Sequence, residues 1–237
     1  LAWFIWLLAT QCDSEERGKM SALFFLIVIS TVFWSMFEQS GGSMTLFADR
    51  ATDLTLFGME LTAAQFGSAN AIFIILLSPL FALMWPALLS NNIEPSTPAK
   101  FGLGIVQVGL GFGALLIGLN NPDSAGLVSA WWLVLAYFLH TSAELCLSPI
   151  GLSAVTKLSI ARYVGVMMGA WFLASAYGSY LASELAIFFS SIGGEDGRLD
   201  NSGFNALFTE LLMYGLGVGI AVLLVSPLVK RLMKDVR

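Results

Sequence analysis

Apolar residues run along this chain in long stretches without a single Asp, Glu, Lys or Arg. Six such stretches fall at 20–37, 61–93, 101–122, 124–143, 163–183 and 211–229. An α-helix rises 1.5 Å per residue, so about 18–20 apolar residues cross a hydrocarbon layer roughly 30 Å thick. Each stretch reaches that length, and each predicts a membrane-spanning helix. With their flanks, the spans are expected at 20–48, 62–90, 99–119, 127–157, 161–190 and 204–233. The predicted fold class is an all-α membrane protein, a six-transmembrane-helix bundle over residues 20–236. A shorter apolar run, LAWFIWLLA at 1–9, stops at the polar segment 11–19. It is too short to span and lacks the basic start of a signal peptide. Residues 1–10 are expected to be the end of a preceding helix that starts before the given sequence.

Composition excludes the main alternative. Apolar types make up 57% of the chain, charged types only 11%, and mean hydropathy is +0.80. A soluble domain carries about 25% charged residues to cover its surface. The basic residues also set an orientation. Arg17, Lys19, Lys100, Lys157, Arg162, Lys230, Arg231, Lys234 and Arg237 fall on one side of the predicted spans, and only Arg50 and Arg198 on the other. The positive-inside rule places the richer side in the cytoplasm, so a multi-pass protein of the cell inner membrane with a cytoplasmic carboxy terminus is expected. Acidic residues Asp49, Asp53, Glu60, Asp123, Glu195, Asp196 and Asp200 lie on the opposite side, in keeping with a net charge of −5. The lipid bilayer is the expected partner, and nothing points to nucleic acid.

The loops carry helix breakers, NNIEPSTP at 91–98, NNPDSAG at 120–126 and a Gly-rich polar segment at 193–203. Trp131, Trp132 and Tyr137 open the fourth span as interfacial aromatics. The glycines of the third span, GLGFG at 109–113 among them, follow no strand and read as close helix packing rather than a nucleotide loop. Cys12 and Cys146 are expected as free thiols, and no metal-ligand spacing occurs.

Four carboxylates remain inside or near the spans: Glu38, Glu144, Glu184 and Glu210. A charge at the centre of a bilayer costs about 3 kcal/mol on insertion scales, so each needs a reason. Glu144 lies midway between Trp131 and Lys157, near the bilayer centre. His140, Glu144 and Ser148 share a helix face by their spacing of four, and Pro149 and Gly151 weaken the helix just beyond. This pattern suits a cation or proton site, or else a structural bond between helices. Glu38 follows Trp34 and Phe37 and precedes Gly41 and Gly42, so an aromatic wall adjoins an acid beside a bendable segment. It reads as a buried acid awaiting a cation, or as a water-exposed residue of the outer half. Glu184 and Glu210 sit nearer the outer ends, where snorkelling suffices. His140 alone reads as a core histidine, and Trp171, at mid-span, as packing or binding. Ser148 and His140 are two turns apart on one helix, which rules out a nucleophile–base pair. No enzyme is expected.

At these residues the sequence resembles the proton-dependent oligopeptide transporter family of the major facilitator superfamily. The resemblance rests on FWSMFEQSGGSMTLFADR at 33–50, NAIFIILLSPLFALMW at 70–85, PAKFGLG at 98–104, HTSAELCLSPIGLSAVTKLS at 140–159 and MMGAWFLASAYG at 167–178. It implies that these are the seventh to twelfth spans, the C-terminal half of a major facilitator superfamily fold, whose missing N-terminal six-helix half is a partner. It further implies proton-coupled symport of di- and tripeptides by alternating access, with protons as the coupling ion and no other cofactor. By motif, Glu144 would receive the peptide amino terminus with Ser148 close by, and Asn70 would bond the peptide backbone. Trp34, Phe37 and Trp171 would line side-chain pockets. Glu38, with Glu144, would serve proton coupling, and Lys157 would belong to a cytoplasmic gate. Ala71 and Ile160 stand where the family commonly has Pro. Another small solute on the same scaffold, or a receptor that does not transport, are the rival expectations.

Overall fold

A computed structural model describes residues 2–192 and 201–234. Of the sequence features above, Glu195, Asp196, Arg198, Asp200 and Arg237 lie outside the described residues. The first helix, α1 (Ala2–Thr10), lies against α2 (Ser14–Phe37), with Phe4 stacked on Phe24 at 4.4 Å. Asp13 starts α2 by accepting the Glu15 and Glu16 amides at 2.8 Å, and Glu16 returns a bond to the Asp13 amide at 3.0 Å. This reciprocal cap satisfies amides that a helix start otherwise leaves open.

The first span is not one helix. After α2 comes a 3-10 turn, Glu38–Ser40, then Gly42 leaves helical geometry at φ −112° and ψ −99°, and α3 (Ser43–Ala51) resumes. A break at membrane depth exposes polar backbone and needs partners inside the protein. Buried Gln39 supplies a bridge, donating to the Ala182 carbonyl at 2.9 Å and accepting from Ser43 at 2.7 Å.

The remaining helices are α4 (Ala63–Gly67), α5 (Ala69–Ser90), α6 (Thr97–Leu119), α7 (Ala130–Leu158), α8 (Val164–Ile192) and α9 (Asn201–Met233). Among the described residues, six helical segments are long and apolar enough to cross a membrane. Short strands occur only in the connections. β1 (Thr52–Asp53) runs parallel to β4 (Val128–Ser129), while β2 (Thr55–Leu56) and β3 (Met59–Glu60) form a hairpin turned by Phe57 and Gly58 at positive φ. Pro149 does not break α7, which continues from Ala130 to Leu158.

Helix α6 is the centre of the packing, with α9 on one side and α7 on the other. The third-span glycines make this possible. A Cβ on Gly215 would lie 2.5 Å from the Gly109 Cα, and one on Gly219 would lie 2.9 Å from the Val106 amide nitrogen. Toward α7, a Cβ on Gly111 would strike the His140 ring at 2.5 Å. Above these seams Phe47, Phe112, Phe204 and Phe208 form a buried aromatic cluster with centroids 5.2–5.8 Å apart. By contrast, Leu77 is the one buried side chain of α5, which rests chiefly on α7.

Gly219→Ala is expected to lower the unfolding temperature in detergent, through an overpacking penalty of about 1–3 kcal/mol. Gly217→Ala, where no atom lies within 4 Å of the added Cβ, is expected to be neutral or stabilising. A thermal-unfolding comparison of the pair checks both.

Candidate functional site

The candidate site lies where α5 starts against the middle of α7. Asn70, the second residue of α5, donates from its amide nitrogen to the Glu144 carboxylate at 3.0 Å and to Thr141 Oγ1 at 3.1 Å. Thr141 passes its own proton to the Tyr137 carbonyl at 2.8 Å, so its oxygen is oriented to accept. Glu144 and Thr141 are three residues apart and thus share the α7 face toward α5. The acid is therefore both half-buried and held across a helix junction. No cation pairs with it among the described residues.

His140 does not join this group. Its ring points to α6, with Nε2 at 3.1 Å from the Val108 carbonyl and the Phe112 ring 4.8 Å away. A spacing of four aligned His140 with Glu144 in the sequence, yet close packing of α6 turned the histidine into that seam. It is a core histidine.

The second acid comes from the break in α2. Glu38 begins the 3-10 turn, half-buried, and no hydrogen bond or ion pair engages its side chain among the described residues. The turn it opens is tied to α7, the helix that carries Glu144, through Ser40. Tyr137 joins the elements, donating to the Ser40 carbonyl at 3.2 Å, and Phe37 places its ring 6.4 Å from that of His140. Trp34 packs edge-on against Phe37 at 5.4 Å, with its ring N–H buried and unbonded. Its Cβ also lies 2.5 Å from the position a Cβ on Gly178 would take, so α8 closes tightly over it.

Ser148 stands one turn below Glu144, half-buried and without a side-chain bond among the described residues. Trp171 is elsewhere: only 2% exposed, it presses its ring against Gly151 and Phe101. Gly151 is about 10 Å below Glu144 by helical rise, so in this conformation Trp171 packs under α7 and is closed to solvent. Lys157 lines a cavity of about 580 Å³ with Pro149, Ser153, Trp85 and Lys100. Glu184 is exposed near Tyr180, to which it is bonded, and Glu210 is exposed.

Several participants were not singled out from the sequence. Thr141 carried a signal in its spacing of three from Glu144, although a threonine in an apolar span has many uses. Gln107 of α6 accepts from Ser142 and donates to the Cys146 sulfur at 3.7 Å, pinning α6 to α7. Lys100, counted from the sequence only among the basic residues on one side of the spans, is 7% exposed, paired with Glu94 at 2.5 Å and set 4.2 Å from the Trp85 ring centre.

Six helical segments long and apolar enough to cross a membrane, among the described residues, define the class of a multi-pass membrane protein. The POT family model matches residues 2–199, and the chain belongs to that family. It is 42% identical over 183 residues to the peptide transporter YePEPT of Yersinia enterocolitica, covering 76% of this chain and 36% of that protein. It is 32% identical over 232 residues to a di-/tripeptide transporter of Lactococcus lactis, covering 96% of this chain and 44% of the relative. The crystal structure of a mutant of the peptide transporter POT in complex with alafosfalin superposes with a TM-score of 0.85 at 34% identity. That match covers 99% of this chain and 46% of the solved one. The chain thus spans less than half the length of these relatives, which are transporters and not enzymes.

The Asn70–Thr141 bond predicts a measurable coupling. In a double-mutant cycle of Asn70→Ala and Thr141→Val, unfolding free energies should be non-additive by about 0.5–1.5 kcal/mol. Additivity within error would remove the bond from the list of contacts that hold α5 to α7.

Proposed function

We propose that this chain supplies the C-terminal half of a proton-coupled symporter of di- and tripeptides in the cell inner membrane. Glu144 receives the positive amino terminus of the peptide, and the carboxy terminus of the chain faces the cytoplasm. One observation carries the reading: Glu144, half-buried on α7, is held by the Asn70 amide and has no cation among the described residues to neutralise it. Such an acid gains most from an ammonium group or a proton. A peptide amino terminus supplies the first and the coupling ion the second. The names of the matched relatives, peptide and di-/tripeptide transporters, support the same substrate class.

Asn70 holds the Glu144 carboxylate in place and has an amide oxygen left for a peptide N–H. Ser148 lies within a turn of the bound end. Trp34 and Phe37 pack edge-on as an aromatic pair that lines side-chain pockets, and the buried Trp34 N–H becomes a donor to substrate only when α8 moves off it. A pocket role for Trp171 requires α7 and α8 to shift so that its ring is uncovered. Lys157, in the lining of the cavity of about 580 Å³, serves the cytoplasmic gate. The cationic clamp for the peptide carboxylate, and the partner of Glu38, come from the N-terminal half.

In the transport cycle, protonation of the acids and peptide binding together favour rocking of this bundle against the other half. Each proton moved down 100 mV supplies about 2.3 kcal/mol. Glu144→Gln in the full-length protein removes the charged contact, and peptide uptake should fall about 10- to 100-fold. Unchanged uptake and affinity would contradict the assignment. Glu38→Gln should abolish proton-driven accumulation in proteoliposomes while peptide counterflow persists. Intact gradient-driven uptake would remove Glu38 from the coupling.

A further inference from the structure

The start of α6 and the end of α9 meet around a cavity of about 420 Å³ at one end of the bundle, well away from Glu144. Three lysines line it, Lys100, Lys230 and Lys234, against a single carboxylate, Glu94. Glu94 is already taken by Lys100 at 2.5 Å. Glu15, which does not line the cavity, takes Lys234 at 2.8 Å but also serves Lys19 at 2.7 Å. Lys230 has no ion pair or hydrogen bond among the described residues. Positive charge is therefore in excess however Glu15 is counted.

The cations are presented differently. Lys100 is 7% exposed and fixed by Glu94 and the Trp85 ring, so its ammonium is a preset part of the wall. Lys230 and Lys234 are exposed and able to adjust. Ser96 makes no side-chain cap at the start of α6, so the positive end of that helix adds to the same field. The cavity is also polar on one wall and apolar on its flank. Leu89 and Met233 belong to its lining, and Leu89, Ile93, Leu228 and Leu232 are exposed beside it in sequence. A small soluble anion has no use for that apolar flank, whereas an acyl chain does.

We propose that this cavity binds the phosphate headgroup of an anionic phospholipid, with Lys230 and Lys234 closing on the phosphate over Lys100 and the acyl chains lying along the exposed leucines. Basic pockets between helices at a membrane surface hold anionic headgroups by this combination of charge and depth. The site needs neither substrate nor proton, and it adjoins the Lys157 cavity, with which it shares Lys100 and Glu94.

The test uses the full-length protein in phosphatidylcholine micelles, titrated with phosphatidylglycerol and followed by native mass spectrometry. Phosphatidylglycerol should be retained in preference to phosphatidylcholine. Retention should fall about fivefold for each of Lys230→Gln and Lys234→Gln, and Lys230→Arg should restore it. Unfolding temperatures without phosphatidylglycerol should match among these surface variants, which separates headgroup binding from misfolding. Equal retention of the two lipids, or a double variant that keeps phosphatidylglycerol like the parent, overturns the proposal. Displacement of the lipid by inorganic phosphate or glycerol phosphate at millimolar concentration also overturns it, because the site would then select a soluble anion.

Discussion

A polar group inside hydrocarbon must find its partner within the protein, because no water is present to replace it. Much of this bundle follows from that constraint. Gln39 meets the Ala182 carbonyl, Gln107 meets Ser142 and Cys146, His140 meets the Val108 carbonyl, and Asn70 meets Thr141 and Glu144. Each of these bonds joins two helices, so the few polar residues of the spans set how α2 lies on α8, α6 on α7 and α5 on α7. The glycines complete the arrangement. Lipid tails are as apolar as leucine, so helices associate through close backbone packing, and Gly109, Gly215 and Gly219 allow that approach.

Against this background the acids stand out. Glu144 has an amide partner but no cation, and Glu38 has no bonded partner among the described residues. Glu144 borders the thinly packed side of the bundle, where α5 rests chiefly on α7. The break at Glu38–Gly42 matters here, because the turn it makes is tied to α7 through the Tyr137–Ser40 bond. A half-buried acid without a cation among the described residues suits a partner that brings positive charge and leaves again.

Charge is handled in the opposite sense at the end where α6 begins. There Lys100, Lys230 and Lys234 outnumber the nearby acids, and one of the cations is folded into the structure by Trp85 and Glu94. A lysine on a long stem can bury its methylenes and still present its ammonium, which is why such a cation could become a wall of a cavity. Charge is thus handled by different chemistry in two places, a carboxylate held by an amide on α7 and a padded cation cluster at one end of the bundle.

Much of this was legible in the residue order. Six charge-free runs are long enough to cross a bilayer, and hydrocarbon tolerates only helices there, so the helical architecture followed from length and charge alone. The family was likewise open to reading from the motif blocks. What the sequence could not determine was direction around each helix. His140 and Glu144 share a spacing that aligns them, yet the first turned into the α6 seam and the second toward α5. Trp171 sits at mid-span but was drawn under Gly151, and Lys100, in the first turn of α6, was drawn into a buried pair with Glu94. Rotation about a helix axis is decided by which neighbours pack closely, and those neighbours lie far away in the chain, so only the assembled bundle could settle it.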